Sequence, residues 1–321
     1  MTHHETPASE TASRPAVAGG ALRPAVILGG NRIPFARANT AYAEAGNQEM
    51  LTATLDGLVA RFGLQGERIG QVTAGAVLKH PRNFNLTREA VLGSALSAAT
   101  PAADVQVACA TGMEALGTLA NKIRLGQLDS AIGGGVDSIS DAPVSLSDGA
   151  RRVLLQLNTA KTTKDRLRAL AQLRPGQLVP EPAGAGEPRT GMSMGEHQAL
   201  TTHKWGITRQ AQDELAAASH RNLGAAYAAG YMDDLVTPFH GLARDNNLRP
   251  DSTPEKLAGL KPAFGRQLGD EATMTAGNST PLTDGAAACL LASDEWARAH
   301  GHVPLAYLRD AHVSAVDFVH G

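Results

Sequence analysis

Apolar and polar positions along this chain fall into short blocks whose period switches between two and about 3.6, which predicts strands and helices in turn. Ala25, Val26, Ile27 and Leu28 form a short buried strand ending at Gly29-Gly30. Met50, Leu51, Leu55, Leu58 and Val59 share one face of residues 48–62, a helix that Gly63 stops. A strand over 69–78 with a glycine inside it and a helix over 85–98 with Val91, Leu92, Ala95 and Leu96 inward come next. Residues 105–108 are a further apolar strand, and Met113, Leu116, Ala120 and Ile123 then recur at helical spacing up to Leu125. Residues 130–135 close a βαβαβαβ series. Such a series predicts a layered α/β fold with a mainly parallel sheet and its chemistry at the C-terminal strand ends.

The character changes after residue 141. Five prolines (Pro143, Pro175, Pro180, Pro182, Pro188) accompany the basic residues Arg151, Arg152, Lys161, Lys164, Arg166, Arg168 and Arg174, so residues 141–267 read as an insertion. The basic cluster suits either a solvated helical face or a small polyanion. Thr208 caps a long helix with Leu215, Ala218, Asn222 and Ala225 on one side, and Gly230 ends it. Residues 272–275 return as a strand and 276–280 form a tight loop. Residues 286–292 are a continuous apolar strand, buried on both faces, with Cys289 as a core residue.

Composition narrows the function. A net charge of −2 over 321 residues excludes a bulk electrostatic case for nucleic acid, and 34 glycines against 4% aromatics favour backbone held close to a ligand over base-stacking platforms. Two cysteines far apart argue against a disulfide framework and for a reducing compartment, with the cytoplasm expected. No apolar run approaches the roughly 20 residues of a membrane span. Residues 1–23 read as a mobile tail, His3 and His4 within it as solvated side chains, and no metal site is expected.

Cys109 is the candidate for chemistry. It lies between a strand end and a helix start, where unpaired N–H groups and the helix dipole favour an anion, so its thiol pKa is expected to fall. The alternative is an inert, buried small hydrophobe. The small neighbours Ala110, Thr111 and Gly112, and the open Gly133-Gly134-Gly135 of the next strand, leave room for a substrate carbonyl.

The string V-Q-V-A-C-A-T-G-M-E-A-L (105–116) resembles the acyl-enzyme cysteine motif of thiolases, which cleave or form 3-ketoacyl-CoA through a cysteine thioester. Four more blocks match in family order: N-R-I-P-F-A-R (31–37), G-G-V-D-S-I-S (134–140), S-M-G (193–195) and T-A-G-N-S-T-P-L-T-D-G-A-A-A (275–288). With D-N-N-L-R (245–249) and L-K-P-A-F (260–264), they look most like the fatty-acid oxidation β-subunit branch. The resemblance implies a layered αβαβα fold with residues 24–140 and 268–294 as the N-terminal half. Residues 141–267 would then be a loop domain covering coenzyme A, and residues 295–321 the start of a C-terminal half. It also implies acyl transfer to CoA or acetyl-CoA with Cys109 as nucleophile, Met194, Ala276, Ser279 and Thr280 as CoA contacts, and some of the insertion's basic residues on the phosphates. CoA or acyl-CoA is then the substrate, with no permanently bound cofactor. A homodimer or homotetramer is expected, with a β-oxidation α-subunit as a further partner.

The sequence departs from the family in two places. After Met194-Gly195 the usual small residues and acid are replaced by Glu196-His197-Gln198-Ala199, which bears on acyl-chain preference; His197 is read as a packing or substrate-contact residue and only secondarily as a base. The family's Gly-His-Pro, Cys-x-Gly-Gly and Glu-Ala-Phe motifs do not occur in these 321 residues. A catalytically incomplete CoA-binding module is therefore the alternative to a working acyltransferase. A ketosynthase shares the fold and cysteine but not the N-S-T-P-L-T-D-G block, and a redox sensor would need a resolving cysteine nearby.

Overall fold

The computed structural model describes residues 22–319 except 183 and 185. The expected tail therefore lies, up to residue 21, outside the described residues.

The first strand, β1 (Ala25–Arg32), runs beyond Gly29-Gly30 because its pairing with a later strand continues through Arg32 opposite Ala287. After the two-residue β2 (Ala36–Arg37), α1 (Asn47–Phe62) buries Met50, Leu51, Leu55, Leu58 and Val59. Gly63 closes α1 in the left-handed conformation and donates its N–H to the Val59 carbonyl. The predicted 69–78 strand is confined to β3 (Gln71–Ala74): at Gly75 the chain passes so near Val105 that a Cβ would sit 1.8 Å from its carbonyl oxygen. The predicted 85–98 helix is shorter, α2 (Leu86–Gly93), since the Asp56 carboxylate takes the Ala95 N–H at 2.7 Å and turns the chain, leaving Leu92 exposed.

The apolar run 105–108 is not a strand. The strand lies just upstream as β4 (Ala102–Asp104), and residues 106–110 are an exposed turn leading into α3 (Thr111–Arg124). Asp104 explains the early stop: its carboxylate accepts the Leu86 and Thr87 N–H groups at the start of α2 and pairs with Lys79 at 2.6 Å. Within α3, Ala120 and Ile123 face inward as expected, whereas Met113 is exposed. β5 (Ser130–Asp137) follows.

Residues 138–282 contain α4 (Asp148–Thr159), α5 (Thr163–Leu170), α6 (Met194–Lys204), α7 (Arg209–Ala228) and α8 (Pro254–Ala258). Thr208 caps α7 through the Ala211 N–H. The buried side of α7 carries Asp213, Ala217 and Tyr227, while the Leu215, Asn222 and Ala225 side faces out. No strand forms over 272–275, where only Thr275 bridges to Pro262, because the Ala263 and Phe264 N–H groups are spent on the Met274 carbonyl.

The chain returns as β6 (Thr283–Ser293), then α9 (Asp294–Ala299) and β7 (Ala306–Tyr307). The sheet order is β4-β3-β5-β6-β1-β7, with β2 joined to β6. β4, β3 and β5 are mutually parallel, but β6 enters antiparallel between β5 and β1, so the sheet is mixed. On one face α1 and α2 cover Val26, Val72, Ile132, Ala288 and Leu290; on the other, α3 covers Ala25, Ala131 and Leu291. The β6 residues Ala287 and Cys289 belong to the second face, where Ala287 is exposed and Cys289 half-buried, so the strand is not buried on both faces throughout.

A buried ion pair fastens the insertion to the sheet. Arg32 on β1 forks onto both oxygens of Asp245 at 2.7 and 2.8 Å, and the same carboxylate takes the Phe35 N–H.

Candidate active site

Cys109 stands two residues before the first residue of α3, at the top of the parallel strands, with its side chain exposed. Ala108 just before it adopts φ of +43°, a left-handed conformation that a residue with a Cβ occupies only when its surroundings hold it there. Thr111 does the holding: its hydroxyl donates to the Ala108 carbonyl at 2.7 Å and accepts the Val107 N–H at 2.9 Å. The glycines of β5 allow the start of α3 to settle on the sheet. A Cβ at Gly133 would meet Leu116 of α3 at 2.7 Å, and one at Gly134 would meet the Ala287 carbonyl oxygen at 2.4 Å.

Three separated blocks meet at the end of β5. The buried Asp284 carboxylate accepts the Ile139 and Ser140 N–H groups at 2.7 and 3.0 Å and the Ser140 hydroxyl, and Ser140 Oγ in turn accepts the Asn39 N–H. Asp137 at the end of β5 takes the Val77 and Leu78 N–H groups. Burial raises its pKa, with those two hydrogen bonds opposing.

Ala276, Ser279 and Thr280 come together on one wall of a cleft of about 520 Å³ whose opposite wall carries Leu257, Leu260, Ala263 and Phe264. Ser279 Oγ is buried and has no hydrogen-bond partner, a polar atom left free for a ligand. Arg37, Arg249 and His220 also line the cleft, and among the described residues neither arginine has an acidic partner within ion-pair distance. Neither Met194 nor Cys109 lines it. Met194 is exposed at the start of α6, and its neighbour Gly195 packs so tightly under the Phe264 ring that a Cβ would lie 2.4 Å away.

The basic cluster of residues 151–174 does not line this cleft. Arg151 and Arg152 pair with Asp148 on the exposed surface of α4, and Arg168 and Asp165 of α5 line a shallow surface hollow with Lys161. The cleft's own arginines, Arg37 and Arg249, end two blocks, 31–37 and 245–249, that lie far apart in the chain. Arg32 is structural and Arg37 reaches the cleft. Glu196 completes a capping box with Ser193, accepting its N–H at 2.7 Å, and the half-buried His197 rings Thr190 and Val319 at 3.1 and 3.4 Å. Glu196 is thus held within the insertion, and His197 between it and the segment after residue 295. Among the described residues no group of three or more His, Cys, Asp or Glu side chains is placed to hold a metal ion.

The family model for the thiolase N-terminal domain matches residues 25–295. The chain belongs to the thiolase family. It is 39% identical over 298 residues to the 3-ketoacyl-CoA thiolases of Yersinia pestis and Yersinia pseudotuberculosis, covering 91% of this chain and 68% of each relative. Among solved structures, the acetyl-CoA acetyltransferase of Bacillus anthracis superposes with a TM-score of 0.73 at 28% identity, over 89% of this chain and 70% of the other. The layered α/β arrangement is thus a thiolase fold, and the chain is placed among acyl-CoA C-acyltransferases.

Proposed function

We propose that Cys109 is the acyl-accepting nucleophile and that the cleft between residues 257–264 and 276–282 receives coenzyme A. In this reading the Cys109 thiolate adds to the thioester carbonyl of an acyl-CoA, the carbon–sulfur bond to CoA breaks, and CoA leaves as a thiolate that takes up a proton. The acyl group remains on sulfur until a second CoA thiol or the α-carbon of acetyl-CoA accepts it. Arg37 and Arg249 meet the CoA phosphates, and Ser279, Ala276 and Thr280 contact the pantetheine arm, with Met194 beside its path. The observation that carries this is the strained, exposed Cys109 turn at the start of α3, fixed by Thr111 over a glycine floor.

A role in fatty-acid metabolism, in the cytoplasm and as a homodimer or homotetramer with a β-oxidation α-subunit as a further partner, belongs to the same proposal. The exposed apolar residues Val107 and Met113 on either side of Cys109 in the chain, with Val77 and Phe84, support self-association.

Incubation with acetyl-CoA followed by intact-mass and peptide mass spectrometry tests the nucleophile. An acetyl increment on Cys109 that disappears in Cys109→Ala is expected; no increment on folded protein, or one that survives the substitution, rejects it. The second reading is CoA binding without turnover. Titration calorimetry with CoA beside a thiolysis assay separates the two.

A further inference from the structure

The two walls of the cleft are joined from behind by one buried polar chain on α7. Asp213 is 2% exposed, and its two carboxylate oxygens are used separately. One accepts the Asn278 side-chain amide at 2.9 Å, on the 276–282 wall; the other accepts Arg209 Nε at 2.7 Å. The Arg209 guanidinium then donates to the Leu257 and Leu260 carbonyls at 2.7 and 3.1 Å, on the opposite wall.

Asn278 passes the constraint into the loop. Its Oδ1 accepts the Thr275 N–H at 2.7 Å, while Thr275 Oγ1 accepts the Gly277 and Asn278 N–H groups. The walls touch at the point this chain defines, since a Cβ at Gly277 would lie 2.5 and 2.6 Å from the Leu260 and Leu257 side chains. Stability alone does not call for this arrangement, because a buried pair is often matched by apolar residues of similar volume. What a charged pair whose carboxylate oxygens reach two different partners supplies is a defined distance and orientation.

We propose that Arg209 and Asp213 are positioning residues that set the separation of the two cleft walls, and through it the presentation of Ser279 and the fit of the CoA arm. The ligand part rests on the reading of the cleft above; the coupling of the walls does not. The test is hydrogen–deuterium exchange of the free protein, read by peptide, together with calorimetric titration of CoA, in wild type, Arg209→Lys, Arg209→Met and Asp213→Asn. If Asp213→Asn does not fold, the partly exposed Arg209 variants carry the test.

Exchange in peptides covering 257–260 and 275–280 should rise at least tenfold in Arg209→Met and less in Arg209→Lys, with β5 and the rest of α7 unchanged. CoA affinity should fall about tenfold in Arg209→Met. Unchanged exchange at either wall, or a uniform rise along α7 and β5, overturns the positioning role. Wild-type protein that shows the wall coupling but does not bind CoA would overturn the reading of the cleft and leave the coupling standing.

Discussion

The two cysteines of this chain lie in opposite surroundings. Cys109 is exposed on a strained turn, with Ala108 forced to positive φ and the helix α3 starting directly behind it. Cys289 sits mid-strand in β6, opposite Gly30 and Gly133, half-buried, with its thiol pushed up to about 11 by burial. The same side chain is therefore offered to solvent in one place and kept protonated in the other. Position in the fold decides which thiol can do chemistry.

The largest effect should appear in alkylation. A thiol of pKa about 11 is ionised in about one molecule in 10⁴ at pH 7, so iodoacetamide should modify Cys109 at least about 10²-fold faster than Cys289. Peptide mass spectrometry over time measures both rates. Cys289 labelling should climb about tenfold per pH unit up to pH 10. Equal rates at pH 7 would erase the contrast.

Next in size is the support under the reactive turn. Gly75→Ala places a methyl 1.8 Å from the Val105 carbonyl, a backbone atom that cannot swing aside, and should cost about 3 kcal/mol in urea unfolding. Gly30→Ala, beside Cys289 and 2.9 Å from the Ala288 carbonyl, should cost less. A reversed order would mean that the cysteine turn is the softer region.

The smallest effect depends on pH. Burial alone would raise the Asp104 pKa, but hydrogen bonds from Lys79 and Thr87 outweigh it and lower the value below that of an ordinary carboxylate. A depressed folded pKa contributes stability that is present above about pH 4 and lost as pH falls through the folded value. Asp104→Asn should therefore cost about 1 to 2 kcal/mol at pH 7, and the gap to wild type should close in acid, as followed by thermal melts at several pH values.

Much of this was legible in the linear pattern. β1, α1 with its Gly63 stop, α3 and β5 are where helical or strand spacing and glycine punctuation put them, and the cysteine at the start of α3 stood out for the same reason. Three features were hidden for physical reasons. Residues 105–108 carry β-forming side chains, yet Asp104 spends its carboxylate capping α2 and Thr111 winds the backbone into a turn, neither of which leaves a periodic trace. The inward side of α7 is set by the polar Asp213, so an apolar count chose the wrong side. The arginines of the cleft, Arg37 and Arg249, come from blocks that converge only in three dimensions, while the conspicuous basic cluster lies on solvated helices.

The course of β6 also bears on how the molecule is assembled. This strand lies between β5 and β1 and pairs with both along most of its length, yet it is made only after the whole α4 to α8 excursion has been synthesised. Until it arrives, the edges of β1 and β5 that it will join are both open and the two strands share no ladder. The central ladder is therefore closed late, through contacts of long sequence separation whose loop-closure entropy slows the search. Nascent chains of this protein spend that interval with two adhesive edges bare, which is when they are most in need of shielding from one another.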